Sequence, residues 1–256
     1  MSTDNNIHQF EFNLICEFFL KLKRQGPGGR AETLKALSFI RGLNEKSEIA
    51  DIGCGTGGQT MTLAQHVEGH VTGLDLFPAF IDKFNADARQ LGLQNRVNGI
   101  VGDMGDMPFS PESIDLIWSE GSIYNIGFER GINEWRKYLR TGGYLAVSEN
   151  TWLTEKRPQE IEDFWQQTYP EIGSVVFKVG QMLKAGYMPI ATFVLPEECW
   201  TTNYYIPAAK AQEEFLAAYP NNETAKTFIG YLRHEESLYR RYGEYFGYVF
   251  YIGKKM

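Results

Sequence analysis

Five carboxylates lie along the first 150 residues as if each closed a strand: Asp51, Asp75, Asp103, Glu120 and Glu149. Each follows a short apolar run, in "SEIAD", "HVTGLD", "VNGIVGD", "SIDLIWSE" and "YLAVSE". Carboxylates gathered at one end of a sheet repel polyanions and attract ammonium groups and donating hydroxyls. Between the first two lies "DIGCGTGGQT", where Gly53, Gly55 and Gly58 match the spacing G-x-G-x-x-G. In a strand–loop–helix this spacing can hold a pyrophosphate on backbone N–H groups, but alone it is weak. Asp51, two residues ahead of the first glycine, opposes a pyrophosphate and favours an ammonium.

Those acids need a frame. Strand and helix patterns alternate five times between residues 48 and 150, which predicts a doubly wound, mostly parallel α/β sheet. In such sheets ligands bind beyond the carboxyl ends of the strands, at the point where strand order reverses. Ahead of the first strand, residues 7–24 show the periodicity of an amphipathic helix, "QGPGGRAET" breaks it, and a second helix is expected over roughly 31–42. "FERGINEWRKYLRTGG" reads as a helix stopped by its two glycines, followed by the strand "YLAVSEN". Beyond Asn150, two helices and the strand "MPIATFVLP" precede an aromatic-rich, helical insertion at about 197–243, and "GYVFYIGKK" reads as a final strand. The expectation is one domain over 1–256: N-terminal helices in 1–44, a ligand-binding core in 45–150, and a C-terminal half in 151–256 that carries the insertion. Helix 7–24 is either a mobile lid or a fixed packing helix.

Composition narrows the function. The 256 residues are 43% hydrophobic and 22% charged, ordinary for a soluble globular chain. No apolar run approaches the roughly 20 residues of a membrane span, and the acidic N-terminus is unlike a signal peptide. A cytoplasmic protein without membrane attachment is expected. The formal net charge of −7 opposes nucleic acid as a partner. Cys16, Cys54 and Cys199 are far apart, and His66 and His70 flank a Glu-Gly turn, so no metal site is expected. Apolar helix faces fit a core or a homodimer equally.

Together these motifs resemble the class I (Rossmann-like) S-adenosylmethionine-dependent methyltransferases, of the type acting on small molecules. "ADIGCGTGGQT" resembles their first motif, "VTGLDLFPAFID" their second strand, and "GIVGDMGDMPF" the loop that brackets adenine. "IDLIWSEGSIYNIG" is similar to their fourth strand, "LRTGGYLAVSE" to the fifth, and "GYVFYIGKK" to an antiparallel seventh. The resemblance covers about residues 45–150 closely and the last strands loosely. It implies seven strands, S-adenosyl-L-methionine as cofactor, S-adenosyl-L-homocysteine as product, and a small-molecule N, O or C nucleophile as acceptor.

Roles follow from the resemblance. Gly53, Gly55 and Gly57 would let the backbone approach the cofactor, with Cys54, Gly58 and Leu76 beside them. Asp51 would face the ammonium and Asp75 the ribose hydroxyls. Asp103, rather than Asp106, would accept from the adenine amino group, and Met104 would pack on the ring. Ser119 and Glu120 would flank the methionine part. In "GPGGR", the loop N–H groups around Gly28 and the side chain of Arg30 could hold the methionine carboxylate, or form an ordinary loop. Glu120 reads equally as a catalytic base, an amine-binding acid or a structural acid. Tyr124, with Asn125, either meets the acceptor as a second catalytic candidate or packs. Trp152, Phe164, Trp165, Tyr169, Trp200, Tyr204 and Tyr205 form the core of the insertion, or cover the acceptor and bind a cationic amine through their ring faces. "SEGSIYN" lacks the Asn/Asp-Pro-Pro-aromatic stretch of enzymes that methylate the exocyclic amines of DNA bases. Two other readings stand beside this one: an NAD-dependent oxidoreductase and a non-catalytic S-adenosylmethionine-binding module.

Overall fold

A computed structural model describes residues 12–256. Its first five strands alternate with helices: β1 (Glu48–Ile52), α3 (Gly58–Ala64), β2 (His70–Asp75), α4 (Pro78–Gln90), β3 (Val97–Val101), β4 (Ile114–Glu120), α5 (Phe128–Trp135) and β5 (Leu139–Trp152). Two helices, α1 (Phe12–Phe19) and α2 (Arg30–Leu37), come before them. After β5 come α6 (Gln159–Thr168), the two-residue β6 (Gly173–Ser174), α7 (Val175–Lys184) and β7 (Tyr187–Val194). The chain then runs through α8 (Glu197–Trp200), a π-helical turn (Thr201–Tyr205), α9 (Ile206–Ala218), α10 (Glu223–Tyr242) and β8 (Phe246–Lys255). The sheet order is β3-β2-β1-β4-β5-β8-β7, with β6 appended to β5. β1 to β5 are parallel, and β8 is antiparallel to both its neighbours. The expected doubly wound sheet with an antiparallel last strand is therefore present, and the short β6 is its one addition.

Both faces of the sheet are covered, and the strands alternate between two cores. On β5, Tyr144 and Ala146 join one cluster while Leu145 and Val147 join the other; on β8, Phe250 and Ile252 oppose Val249 and Tyr251. This period of two explains why the strands read as continuous apolar runs: each side chain has a buried face to occupy. Strand order reverses between β1 and β4, so the loops that follow them part and leave a crevice. At the β3 edge, the Asn85 amide of α4 donates to the Gly99 carbonyl and accepts from its N–H, satisfying backbone groups that a further strand would otherwise pair.

Three elements differ from the sequence reading. The N-terminal helix stops at Phe19, because the Gln25 amide folds back on the carbonyls of Phe19 and Leu22 at the helix end; the expected residues 7–11 lie outside the described part. The second helix ends at Leu37 rather than near 42. Helix α5 ends at Trp135, and Gly142 and Gly143 lie within β5, where the β4–β5 ladder shifts register. A Cβ on Gly143 would stand 2.9–3.3 Å from three backbone oxygens, so the glycine pair marks a bulge and not a helix stop.

The insertion between β7 and β8 reaches back to the N-terminus. Phe18 of α1 is fully buried and meets Phe215 of α9 and Phe228 of α10 edge-on, at 5.7 and 5.5 Å. Below this layer Lys178 of α7, itself fully buried, pairs with Glu149 of β5 at 3.1 Å. Among the described residues no helix is long and apolar enough to cross a membrane. Phe18→Ala should therefore lower the unfolding free energy by about 3–5 kcal/mol, the usual cost of emptying a buried aromatic position. Urea denaturation of the two proteins checks this; a loss below about 1 kcal/mol would mean that α1 rests on the surface.

Candidate functional site

A cavity of about 430 Å³ opens at the strand-order reversal. Its floor is the loop after β1 with Gly53, Cys54 and Gly55. Asp75, Leu76 and Phe77 form one side, Gly102, Asp103 and Met104 a second, and Glu120 to Ser122 with Tyr124 to Ile126 a third. Phe12, Ile15 and Phe19 of α1 and the segment Arg24–Pro27 close the top.

The floor depends on backbone that only glycine adopts readily. Gly53 (φ 69°) and Gly55 (φ 56°) are left-handed. A Cβ at Gly53 would stand 2.2 Å from the Ser122 hydroxyl, and one at Gly55 2.3 Å from the Gln25 amide oxygen. Ser122 Oγ donates to the Ile52 carbonyl and shares a hydrogen bond with Ser119 Oγ, which joins the ends of β1 and β4. Asp75, at the end of β2, accepts from Gly55 N at 2.8 Å and from Phe77 N at 3.1 Å. Burial raises its pKa against the pull of these N–H groups. One carboxylate thus ties two loops and still faces the cavity.

Asp51 is fully buried behind the loop and does not line the cavity. Its Oδ2 accepts from Thr60 at 2.5 Å, while Oδ1 has no hydrogen-bond partner. Desolvation lifts its pKa to about 7, with Thr60 opposing the shift and the Glu120 charge adding to it.

Glu120 closes β4 and carries the densest contacts of the site. Its Oε2 accepts from Arg24 Nη2 at 2.5 Å; its Oε1 accepts from Thr33 Oγ1 at 2.6 Å and Trp118 Nε1 at 3.0 Å. Its side chain is 2% exposed, and donors occupy both oxygens. Arg24 is the one cationic side chain lining the cavity among the described residues, and its Nε has no partner. The segment carrying it is anchored at both ends. Gln25 Oε1 accepts from Thr56 N at 3.1 Å, Gly28 N donates to Cys199 O, and Asn203 Nδ2 donates to Gly28 O.

The remaining candidates divide. Gly53, Cys54, Gly55, Asp75, Leu76, Asp103, Met104, Glu120 and Tyr124 all face the cavity. Gly57, Gly58 and Ser119 lie behind it: Gly57 packs on Phe84 and Gly58 under the Lys23 carbonyl. Gly28 and Arg30 do not reach it. Gly28 leaves room for the Arg24 guanidinium, and Arg30 is exposed beside Gln65 and His66. Arg24, and not Arg30, lines the cavity. It sits in "KLKRQ", where nothing in the local pattern separates it from ordinary surface cations. Glu149 lies three residues before the end of β5 and is held by Lys178, away from the cavity. Asp106 also stays outside, whereas Asp103 accepts from Gly105 N and lines the wall. Burial pushes the Cys54 thiol well above its ordinary pKa, which suits a loop filler and not a nucleophile. Tyr124 meets Tyr169 edge-on at 6.0 Å, and burial pushes its phenol up to about 12, with Glu235 and Glu149 adding to the shift. It is a neutral hydrogen-bond donor at neutral pH.

Comparison with known proteins agrees with this frame. Residues 49–143 match the family described as a methyltransferase domain. A sterol 24-C-methyltransferase of Candida albicans is 26% identical over 176 residues, covering 66% of this chain and 46% of that protein. Phosphoethanolamine N-methyltransferase 1 of Arabidopsis thaliana is 29% identical over 166 residues, covering 63% of this chain and 33% of the relative. The chain thus spans less than half the length of either relative. In fold, a SAM-dependent methyltransferase from Geobacter sulfurreducens, solved with S-adenosyl-L-homocysteine, superposes with a TM-score of 0.83 at 20% identity, covering 96% of this chain and 99% of that one.

The raised pKa of Asp51 gives a pH signature. The folded protein keeps this proton up to about pH 7, whereas the unfolded chain releases it near the ordinary carboxylate value of 3.8. Stability is therefore greatest below that value, falls as pH rises between the two, and levels above about 7. Asp51→Asn should flatten the decline by up to about 1.4 kcal/mol per pH unit, one proton's share. Urea unfolding at pH 5 and pH 6.5 measures it; equal slopes in both proteins would show that Asp51 is ionised throughout.

Proposed function

We propose that this chain, a member of the class I S-adenosylmethionine-dependent methyltransferases, is a cytoplasmic enzyme that binds S-adenosyl-L-methionine in the cavity and methylates a small molecule. The observation that carries the reading is the division of charge. A fully buried carboxylate with a free oxygen, Asp51, stands behind the glycine loop, a guanidinium with an unused N–H, Arg24, above it, and Asp75 at the end of β2. This set fits a ligand with an ammonium, a carboxylate and a ribose diol, and lacks the cationic cradle of a phosphate site. The sterol and phosphoethanolamine relatives act, by name, on small molecules, which favours an acceptor of that size. Three free cysteines fit a reducing compartment. The whole chain is read as one catalytic unit, with residues 45–150 holding the cofactor and residues 151–256 completing the acceptor side.

Bound S-adenosylmethionine supplies an electrophilic methyl on a sulfonium. The chain's own part is to align and enclose. Asp75 would accept from the ribose hydroxyls, and Asp103 and Met104 would bracket the base. Asp51 is placed to balance the ammonium, directly or through a water. Arg24, already fixed by Glu120, would hold the carboxylate. Glu120 is thus a positioning residue rather than a base. Tyr124, as a neutral phenol, can donate a hydrogen bond to the acceptor. The aromatic residues of α1 exclude water from the top of the cavity.

Calorimetric titration with S-adenosyl-L-homocysteine, S-adenosyl-L-methionine and NADH tests the reading. The first two should bind and NADH should not. Asp75→Ala should weaken homocysteine-product binding about 10- to 100-fold, the worth of hydrogen bonds to a charged acceptor. Arg24→Lys, which keeps the charge and loses the fork, should cost about 10-fold. Binding of NADH alone would replace this reading with a dinucleotide site. Unchanged affinity in both variants would move the cofactor elsewhere.

A further inference from the structure

The roof of the cavity is fixed at its two ends and clasped in the middle. At one end Phe18 of α1 is fully buried against Phe215 and Phe228. At the other, Gly28 N donates to Cys199 O at 3.2 Å, and Asn203 Nδ2 donates to Gly28 O at 2.9 Å. Between them Arg24, Gln25, Gly26 and Pro27 line the cavity from above. Two side chains of this strap bond to the site below: Arg24 to Glu120, and Gln25 to Thr56 of the glycine loop. Beside them a Cβ on Gly26 would meet nothing within 4 Å.

Gln25 uses both ends of its amide. Nε2 donates to the carbonyls of Phe19 and Leu22, at 3.2 and 3.0 Å, and lies 3.1 Å from Thr56 Oγ1. Oε1 accepts from Thr56 N at 3.1 Å and lies 3.3 Å from Thr56 Oγ1. A side chain that only ended α1 would need the donor alone. The acceptor end adds a second link, from the helix to the floor. The floor leaves room for it: a Cβ on Gly55 would stand 2.3 Å from Gln25 Oε1. Residue 25 must therefore donate and accept at once, which an ionised carboxylate or an ammonium cannot do.

We propose that Gln25 is a latch: the strap Arg24–Pro27 lifts to admit and release the cofactor, and Gln25 sets the rate of that exchange. The inference rests on the cofactor reading of the cavity and adds what controls traffic through it. The strap is the part that yields because its contacts are polar. Water replaces the bonds of Gln25 and Arg24 when they part, whereas withdrawing Phe18 exposes a whole aromatic side chain. The bonds of Gln25 join protein to protein and are complete without a ligand. They hold the closed form equally in the free and the bound protein. Weakening them raises the entry and exit rates by one factor and leaves their ratio, the affinity, where it was.

Surface plasmon resonance with S-adenosyl-L-homocysteine over the immobilised protein measures both rates. Gln25→Ala should raise association and dissociation together, each about 10-fold for the lost hydrogen bonds, with Kd within about 2-fold of the wild type. Thr56→Val removes the hydroxyl on the other side of the latch and keeps the backbone N–H. It should act the same way to a smaller degree, about 3-fold, and carries the test if Gln25→Ala does not fold. Faster dissociation alone, with weaker affinity, would make Gln25 an ordinary cofactor contact, and unchanged rates would put the door elsewhere; either result overturns the latch. Amide hydrogen exchange in the free proteins separates the latch from the cofactor reading. Thr56 N–H should exchange at least about 10-fold faster in Gln25→Ala, while Met61 N–H, bonded to Gly57 O, keeps its wild-type rate. If S-adenosyl-L-homocysteine does not bind the wild type, the cofactor reading falls and Thr56 exchange decides the latch: a faster rate upholds it, and an equal rate overturns it.

Discussion

The ion pair between Arg24 and Glu120 is the contact on which the geometry of the site turns. It bonds the segment after α1 to the end of β4, across a sequence separation of 96 residues. Glu120 can stand buried at the end of a strand only because Arg24, Thr33 and Trp118 donate to it. Arg24, in turn, is aimed at the cavity only because Glu120 holds it. The same pair draws down the cover of the crevice, whose other anchors are Thr56 on the glycine loop and Cys199 and Asn203 in the insertion. A charged pair that would add little on the surface here sets the height of the roof and the position of its one cation.

Four buried carboxylates, Asp51, Asp75, Glu120 and Glu149, differ in how far they are satisfied, and burial alone does not distinguish them. Glu120 has donors on both oxygens and Asp75 accepts from two backbone N–H groups, whereas Glu149 has a buried lysine on one oxygen and no hydrogen-bond partner on the other. Asp51 is half satisfied, with Thr60 on one oxygen and nothing on the other. An unpartnered oxygen alone does not mark the site: Glu149 lies away from the cavity, whereas Asp51 stands behind the glycine loop of its floor.

The core of the fold and the glycine loop were legible because their signals are local. A short apolar run, an acid and a glycine loop lie within a dozen residues around Gly53, and the period of the helices is repeated in order. What escaped the reading depends on distance in the sequence. Arg24 looks like any residue of "KLKRQ" until Glu120 is beside it. Arg30 was the better candidate by position, yet α2 turns it toward Gln65 and His66. The glycines at 142 and 143 carry the sign of a helix stop, and only the pairing with β4 makes them a bulge.

The place of β8 in the sheet also bears on how the molecule is made. Among the described residues β7 has β8 as its only partner strand, and β8 also covers the free edge of β5. Until β8 leaves the ribosome, then, the parallel half of the sheet stands with an open edge and β7 has nothing to pair with. The residues between Val194 and Phe246 take on the order of 3–10 s to synthesise at ordinary elongation rates. During that interval the nascent chain leaves the edge of β5 unpaired. Vectorial synthesis thus leaves the β5 edge unpaired while the parallel core is already complete, and makes this window the one in which a chaperone has most to cover.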